Sequence, residues 1–589
     1  MAEYKQPATL NPVVGGVNTA HSKGMTIKEK WEKLEQHARF WYSVWQELAD
    51  YVQPRKGNIQ FLRSPGQRQT DKMFDSTAQH AMELLSASMQ GSLTSGSQRW
   101  LGLRIPDMGY GEDVEIQKWL DDAATKIYDA LNDSNFNSES HELYQDLACF
   151  GTGLIYLDEK KPEEAKERGN ILRFTAVHPG SFVIDEDEDG YVNVVGRKFS
   201  LSSRAALQAF GAAKLPPKIL ADTQRPGGGT ERFDFIHMVF PRTETDLPTQ
   251  GFTKNHPFVS YWVAYDDAWV VRQGGYYEFP FMCPRWAKTT GEIYGRGPGF
   301  TALPDTKTLN KAVELKLRAW AKAIDPPIKV RDEGVIGTVR LTPAGLTHVR
   351  DMDAVQVLDL GGRFDVADLE EDKLRASIRR IFFSDQLQLQ EGPQMTAFEV
   401  QVRYELMQRI LGPTLGRVEI EFLEPLVTRV FWILQRRKML DPMPDSLVTY
   451  LNKKGGKITV QYEGPLARAQ RLQESVAVQR LFQIILPLSE RNPEVMDILD
   501  MDQVMKVHAL AVGVPARVLR DEGAVLKIRE ARQEAVEEQQ TLDAQATQAK
   551  AAGDASKMLT ALSDANVAGL LPGQGAAIPA VVNPLLNKR

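Results

Sequence analysis

Apolar positions in residues 391–435 recur every fourth residue: Phe398, Val402, Leu406, Ile410, then Val418, Phe422, Leu426, Val430 and Leu434. That spacing predicts a long amphipathic rod, and at 1.5 Å per residue it would span roughly 65 Å. Gly412 and Pro413 interrupt it midway, and Pro425 removes a further amide donor, so kinks are expected at these points. The preceding Gln390-Glu391-Gly392-Pro393 reads as a loop. A long bent helix led by such a loop suggests a structural machine part rather than a catalytic pocket.

The same period marks an earlier helix through Ile27, Trp31, Leu34, Ala38, Trp41, Trp45, Leu48 and Val52, ending before Pro54. Thr26 and Glu29 suit a capping box at its start, with residues 1–24 a flexible tail. Its tryptophans share the apolar stripe, so they read as core or subunit packing rather than a stacking platform. Residues 71–94 and 113–133 give two more helices. From Gly153 to about Phe281 the period becomes two, separated by Gly, Pro and Asp turns, which predicts an antiparallel sheet. Within it 201–210 reads as a short helix and 216–229 as a loop.

A strong helix pattern resumes after Gly295-Arg296-Gly297-Pro298-Gly299 and runs to Ile324, with Leu309, Val313, Leu317, Trp320 and Ile324 as its stripe. Lys307, Lys311, Arg318 and Lys322 form a basic stripe on another face. Pro326-Pro327 stops it. Short strands and Gly-rich turns follow over 328–367, and then a second helix from Leu369 to about Leu389. This helix buries Leu374, Ile378 and Ile381 and carries Lys373, Arg375, Arg379 and Arg380. The chain goes out along one rod, makes a small β excursion, and returns along another. The basic stripes read first as a solvated face; the functional alternative is a phosphate-facing wall or salt bridges to acidic neighbours in a ring. Beyond the kinked rod come a strand at 457–464 and helices at 465–489 and 493–508. The Ala/Gln/Glu-rich stretch 521–551 is a solvated helix or one that associates with its own copies.

Composition then narrows the function. The chain has 589 residues, 42% apolar and 25% charged, which suits several soluble globular domains. No eighteen-residue apolar run predicts a membrane span, and the N-terminus lacks a secretory pattern. Cys149 and Cys283, far apart, suggest a reducing compartment. The net charge of −6 argues against a tight grip on phosphates, and in a ring it would repel a polyanion and let it slide.

Catalytic signatures are missing. Gly455-Gly456-Lys457-Ile458 lacks the upstream glycine and the hydroxyl residue of a P-loop. The 295–299 glycines read as a tight hinge loop rather than a phosphate cradle, because Pro298 removes an amide. Asp185, Asp187 and Asp189 mimic a calcium loop, but position twelve is Gly196, so a hairpin turn is the expectation. His141-Glu142 lacks the second histidine of a zinc protease. No catalytic residues, cofactor or metal are expected.

Five ordered blocks carry a resemblance: 70–103 (TDKMFDSTAQHAMELLSASMQGSLTSGSQRWLGL), 149–159 (CFGTGLIYLDE), 290–317 (TGEIYGRGPGFTALPDTKTLNKAVELKL), 392–426 and 462–471 (YEGPLARAQR). Together they resemble the head-to-tail connecting (portal) proteins of short-tailed phages, from about Thr26 to Arg532. The resemblance implies an α+β portal architecture and a dodecameric ring at one capsid vertex of the virion, assembled in the host cytoplasm. Double-stranded DNA would enter and leave through its channel. Partners would be the terminase large subunit, then tail adaptor proteins, with major capsid and scaffolding proteins around the ring and no membrane. The wing would comprise 25–289 and, with the kinked helix and a strand, 396–465. The stem would be 290–324 and its return helix 368–386, flanking a small α/β clip at 325–367. A tunnel loop at 387–395 would offer DNA the neutral side chains of Gln388, Gln390 and Gln394 beside Glu391. A helical crown at 466–530 and a helical barrel at 531–565 would follow, ending in a flexible tail at 566–589. Another connector or adaptor ring, or a nucleic-acid enzyme, stands as the alternative.

Overall fold

The computed structural model describes residues 17–567 apart from 62–63, 65, 107–112, 161–169, 243–255, 326, 341–344, 358–363, 388–411, 413, 453–457 and nearly all of 463–521. Helix α1 (Val17–Tyr51) starts well before Thr26. The capping expectation therefore fails: Thr26 lies inside the helix, and its hydroxyl donates back to the Ser22 carbonyl at 3.2 Å. The tail ends earlier than expected because Gly24 is buried against the Ala268 backbone, which the sheet supplies and local sequence cannot show. The stripe reading of α1 holds, with Trp31 and Trp45 at 1% and 0% exposure.

Helix α2 (Thr77–Leu93) begins later than the pattern suggested, because Asp75 accepts from the Thr77 amide at 2.8 Å and turns the chain there. Strand β1 (Leu101–Arg104) precedes helices α3 (Val114–Asn132) and α4 (Phe136–Phe150). The alternating region then forms not one sheet but two. Strands β2 (Ile155–Glu159) and β3 (Leu172–Ala176) pair with each other. Strands β4 (Phe182–Glu186) and β5 (Val192–Ser202) open the larger sheet. The Asp-rich stretch between these strands is a turn closed by Gly190 at φ +80°, as its composition required.

Helix α5 (Ser203–Phe210) is followed by α6 (Pro217–Gln224), where a loop was expected. Pro217 occupies the first turn, where its missing amide costs nothing, and Ile219 is buried. Strands β6 (Arg232–Pro241), β7 (Phe258–Ala264) and β8 (Trp269–Tyr276) complete an antiparallel sheet in the order β4-β5-β6-β7-β8. The short β9 (Phe281–Met282) returns to pair with β2.

Helix α7 (Pro298–Ile324) matches its predicted span. The β excursion is two small antiparallel pairs: β10 (Ile328–Val330) with β13 (Val355–Val357), and β11 (Val335–Ile336) with β12 (His348–Val349). Helix α8 (Phe364–Ile381) starts before Leu369 and stops at Phe382-Phe383, where Phe383 takes φ +57°. The short α9 (Ser384–Leu387) follows. Of the long rod, Gly412 is helical and exposed, and a π-helical turn at Glu419–Leu423 leads into α10 (Glu424–Arg436). The local change of winding sits directly before Pro425, where a bend was expected. Pro413 and most of the 465–508 helices lie outside the described residues.

Helix α11 (Asp445–Asn452) and strand β14 (Thr459–Tyr462) follow, with β14 pairing antiparallel to β1. One main apolar core unites α1–α4, the inner faces of both sheets, the base of α7 and all of α10. A smaller cluster joins α5 and α6 to the sheet's other face. The fold is therefore mixed α and β, as expected. Residues 514–589 form a second unit containing α12 (Glu522–Val567), whose described side chains are nearly all exposed.

Candidate functional site: the paired helices and their seat

Helices α7 and α8 run antiparallel. Ser377 donates to Asp305 at 2.7 Å, whereas Lys316, further out on α7, meets Asp368 and Glu371, which lie earlier on α8. Glu371 is almost fully buried and pairs with Lys316 at 3.1 Å, a rung between the two helices. Lys316 also lies 5.0 Å from the Trp320 ring centroid.

Both rods grip the turn at Phe74-Asp75 that precedes α2. The buried Asn310 amide oxygen of α7 accepts from the Phe74 and Asp75 amides at 2.6 and 2.9 Å. From α8, Arg375 donates to Asp75 at 3.0 Å. Burial alone would raise the Asp75 carboxyl pKa, but the Thr77 hydrogen bonds and Arg375 outweigh it and hold the group below its ordinary range.

The glycines at 295–299 form the joint at the start of α7. A Cβ on Gly297 would lie 2.7 Å from the Leu147 carbonyl oxygen, and one on Gly299 would lie 2.3 Å from that of Cys149. Facing them, Gly151 ends α4 at φ +74°, and the Gly295 amide donates to Thr152 at 2.8 Å. The C-terminal turn of α4 thus fills the space where a phosphate would have to sit. The tight-loop reading of this motif stands.

Sequence reasoning missed the buried hub beside that joint. Arg285 is 1% exposed, and its guanidinium donates to Glu421 at 2.7 Å, Glu186 at 2.8 Å, the Gly190 carbonyl at 2.7 Å and the Ile293 carbonyl at 3.1 Å. Lys288 also reaches Glu186, at 2.7 Å, and Arg417 lies 3.6 Å from Glu421. The hub ties the π turn of the rod to the β4–β5 turn and to the segment leading into α7. Burial opposes its charge, yet Glu421 more than compensates and raises the Arg285 pKa. The partners lie 99 and 136 residues away. No local motif marks them.

A second ionic anchor joins the end of α1 to α4. Lys56 donates to Asp146 at 2.6 and 2.7 Å and lies 3.2 Å from Glu142. Burial pushes the Asp146 carboxyl up to about 6 despite Lys56. Burial, reinforced by Lys56, pushes the His178 imidazole down to about 4.

The predicted basic stripe is a lattice of pairs. Lys307 meets Glu47 at 3.2 Å, and Lys311 meets Glu314 at 3.0 Å, which also takes Arg318. Arg375 pairs with Asp75, Glu371 and Asp372. Lys322 and Arg379 are exposed. The apolar stripe of α7 is buried only near its base: Leu309 is enclosed, while Leu317, Trp320 and Ile324 are exposed. Gln388, Gln390, Glu391 and Gln394 lie outside the described residues. Among the described residues no cluster of three His, Cys, Asp or Glu could hold a metal ion, and no helix is long and apolar enough to cross a membrane.

Residues 25–519 match the family described as Bacteriophage head to tail connecting protein. The chain is 28% identical over 522 residues to a probable portal protein of Bordetella phage BPP-1, covering 86% of this chain and 90% of that one. It is 27% identical over 528 residues to the portal protein of Salmonella phage epsilon15, covering 87% and 90%. With its sequence matched from within α1 to beyond the long rod, this chain belongs to the bacteriophage head to tail connecting protein family.

Proposed function

We propose that this chain is a phage portal protein: a ring at one capsid vertex through which double-stranded DNA is packaged and ejected. The observation that carries this reading is the family match across residues 25–519, joined by two relatives named as portal proteins that this chain parallels over 90% of their length. That coverage favours a portal over a small adaptor ring. The antiparallel pair α7 and α8 suits a stem, and the β pairs between them suit a clip that docks the terminase and later a tail adaptor. The body built on the large sheet and α10 suits a wing. Residues 466–530 and 531–565 would be the crown and the barrel. Residues 388–395 would face DNA with neutral amides, which contact phosphate without holding it. We read the protein as a structural part of the virion with twelve copies per ring, acting through shape and charge rather than catalysis.

Electron microscopy of the purified chain tests this directly. Closed rings with a central channel are expected, and a strictly monomeric species at every concentration overturns the reading. Deleting residues 388–393 is expected to leave rings intact while impairing packaging or genome retention in particles. Fully infectious particles from that deletion would remove the tunnel-loop assignment.

A further inference from the structure

The ion pairs that set the register of the stem also fix which faces of its two helices look outward. Lys316 and Asp305 point from α7 toward α8. At about 100° per residue, Lys311, Leu315, Arg318 and Lys322 then fall on the back of α7, away from its partner. Leu315 is 53% exposed in the middle of this basic ridge. On α8, Glu371 points inward, so Leu369, Glu370 and Asp372 flank the outer side. Leu369 is 61% exposed, and it stands among acids: the first half of α8 holds Asp365, Asp368, Glu370, Glu371 and Asp372 and no base, with Lys373 next in the chain. Asp372 lies just inside the outer rung of the stem and Glu370 just beyond it, level with the stretch of α7 around Lys316.

We propose that stems of two copies pack through these unlike ridges, with Leu315 of one against Leu369 of the next and Lys311 and Arg318 facing Glu370 and Asp372. Each ridge is an exposed leucine framed by charges of one prevailing sign, and the signs are opposite on the two sides of one stem. A like-to-like contact would oppose equal charges. A head-to-tail contact matches every one, and repeated it generates a closed ring or an open filament. The pairs these residues make within their own helices, Lys311 and Arg318 with Glu314 and Lys373 with Glu370, leave the cations well exposed and contribute little, so they can be exchanged for contacts between copies. Leu317, Trp320 and Ile324 add apolar surface to the same stem. The proposal deepens the portal reading by naming the surface through which copies meet.

Charge reversal on the full chain tests it. One variant carries Lys311→Glu and Arg318→Glu; the other carries Glu370→Lys and Asp372→Lys. Each alone is expected to assemble at least tenfold less well than the unaltered chain by sedimentation and negative-stain imaging, with unchanged circular dichroism. An equimolar mixture is expected to recover ring formation, because alternating copies oppose unlike ridges at every contact. Wild-type-like rings from either variant alone overturn the proposal while leaving the portal reading intact, as does a mixture that assembles no better than its parts. An unaltered chain that never assembles overturns both.

Discussion

Trp45 and Trp320 each sit on an amphipathic helix stripe, yet they lie in regions that obey different rules. Trp45 is fully buried, ringed by Tyr42, Phe150, Phe182 and Tyr294 with centroids 5.3 to 6.3 Å away. Trp320 is half exposed and covered on one side by Lys316. Around Trp45 the body of helices and sheets has a continuous core and buried ion clusters. Around Trp320 the outer part of α7 and the β pairs beyond it bury almost nothing: among the described residues from 325 to 363, Ala354 is the buried hydrophobe, while Val330, Ile336, Leu346, Met352 and Val357 are exposed. Strand pairs two or three residues long cannot hold such a module alone. The contrast teaches that the region around Trp45 is stabilised by its own core, whereas the outer part of α7 and the β pairs beyond it leave most of their apolar side chains exposed.

The sharpest way to break that core is Trp45→Ala, expected to cost about 3–5 kcal/mol in denaturant unfolding. A loss under about 1 kcal/mol would mean the core is far looser than its geometry. Arg285→Ala takes from Glu421 its closest cation and leaves Glu186 to Lys288 alone, and about 3 kcal/mol should be lost. A similar midpoint from Arg285→Met would show that the hub contributes little beyond its volume.

The ion anchor under α1 gives a pH test on the order of 3 kcal/mol per group. The folded pKa of His178 is depressed to about 4, so its contribution is present above its unfolded value near 6.5 and is lost as pH falls through 4. Asp146 is raised to about 6, so its contribution is full below 3.8 and is lost as pH rises through 6. The two oppose each other between pH 4 and 6. Asp146→Asn should therefore steepen the loss of stability on acidification, while His178→Gln should reverse its sign across that window. Parallel melting-temperature profiles for both variants would contradict the assignment. Smallest of all, Leu315→Ala or Ile324→Ala should change single-chain stability by less than about 0.5 kcal/mol, while lowering assembly measurably. Equal effects on folding and assembly would erase the distinction between the two regions.

Much of this was legible in the residues. The stripe of α1 gave its burial and the period of α7 its full length, and Pro217 could have signalled α6 had the first-turn preference been weighed against the surrounding glycines. The Asp-rich stretch before Gly190 declared its turn, and the ordered blocks declared the family. What stayed hidden was relational. Thr26 looked like a cap because a helix start is scored locally, whereas α1 extends to Val17 with Gly24 packed on the Ala268 backbone. Lys307 and Lys311 looked like a bare basic stripe because Glu47 lies far off in sequence and Glu314 was counted apart.

By itself the sequence determined where helices and strands form, which faces are apolar, and to which family the chain belongs, because periodicity and turn chemistry act over a few residues. The tertiary structure alone decided that Arg285 joins the rod to the sheet turn, that the 295–299 glycines lock onto the end of α4, and that Asp305 with Ser377 and Lys316 with Glu371 set the register of α7 against α8. Those outcomes depend on pairings between residues dozens to hundreds of positions apart. Each such pairing is fixed by how whole elements pack, and it leaves no repeat or spacing in the chain from which it could be read.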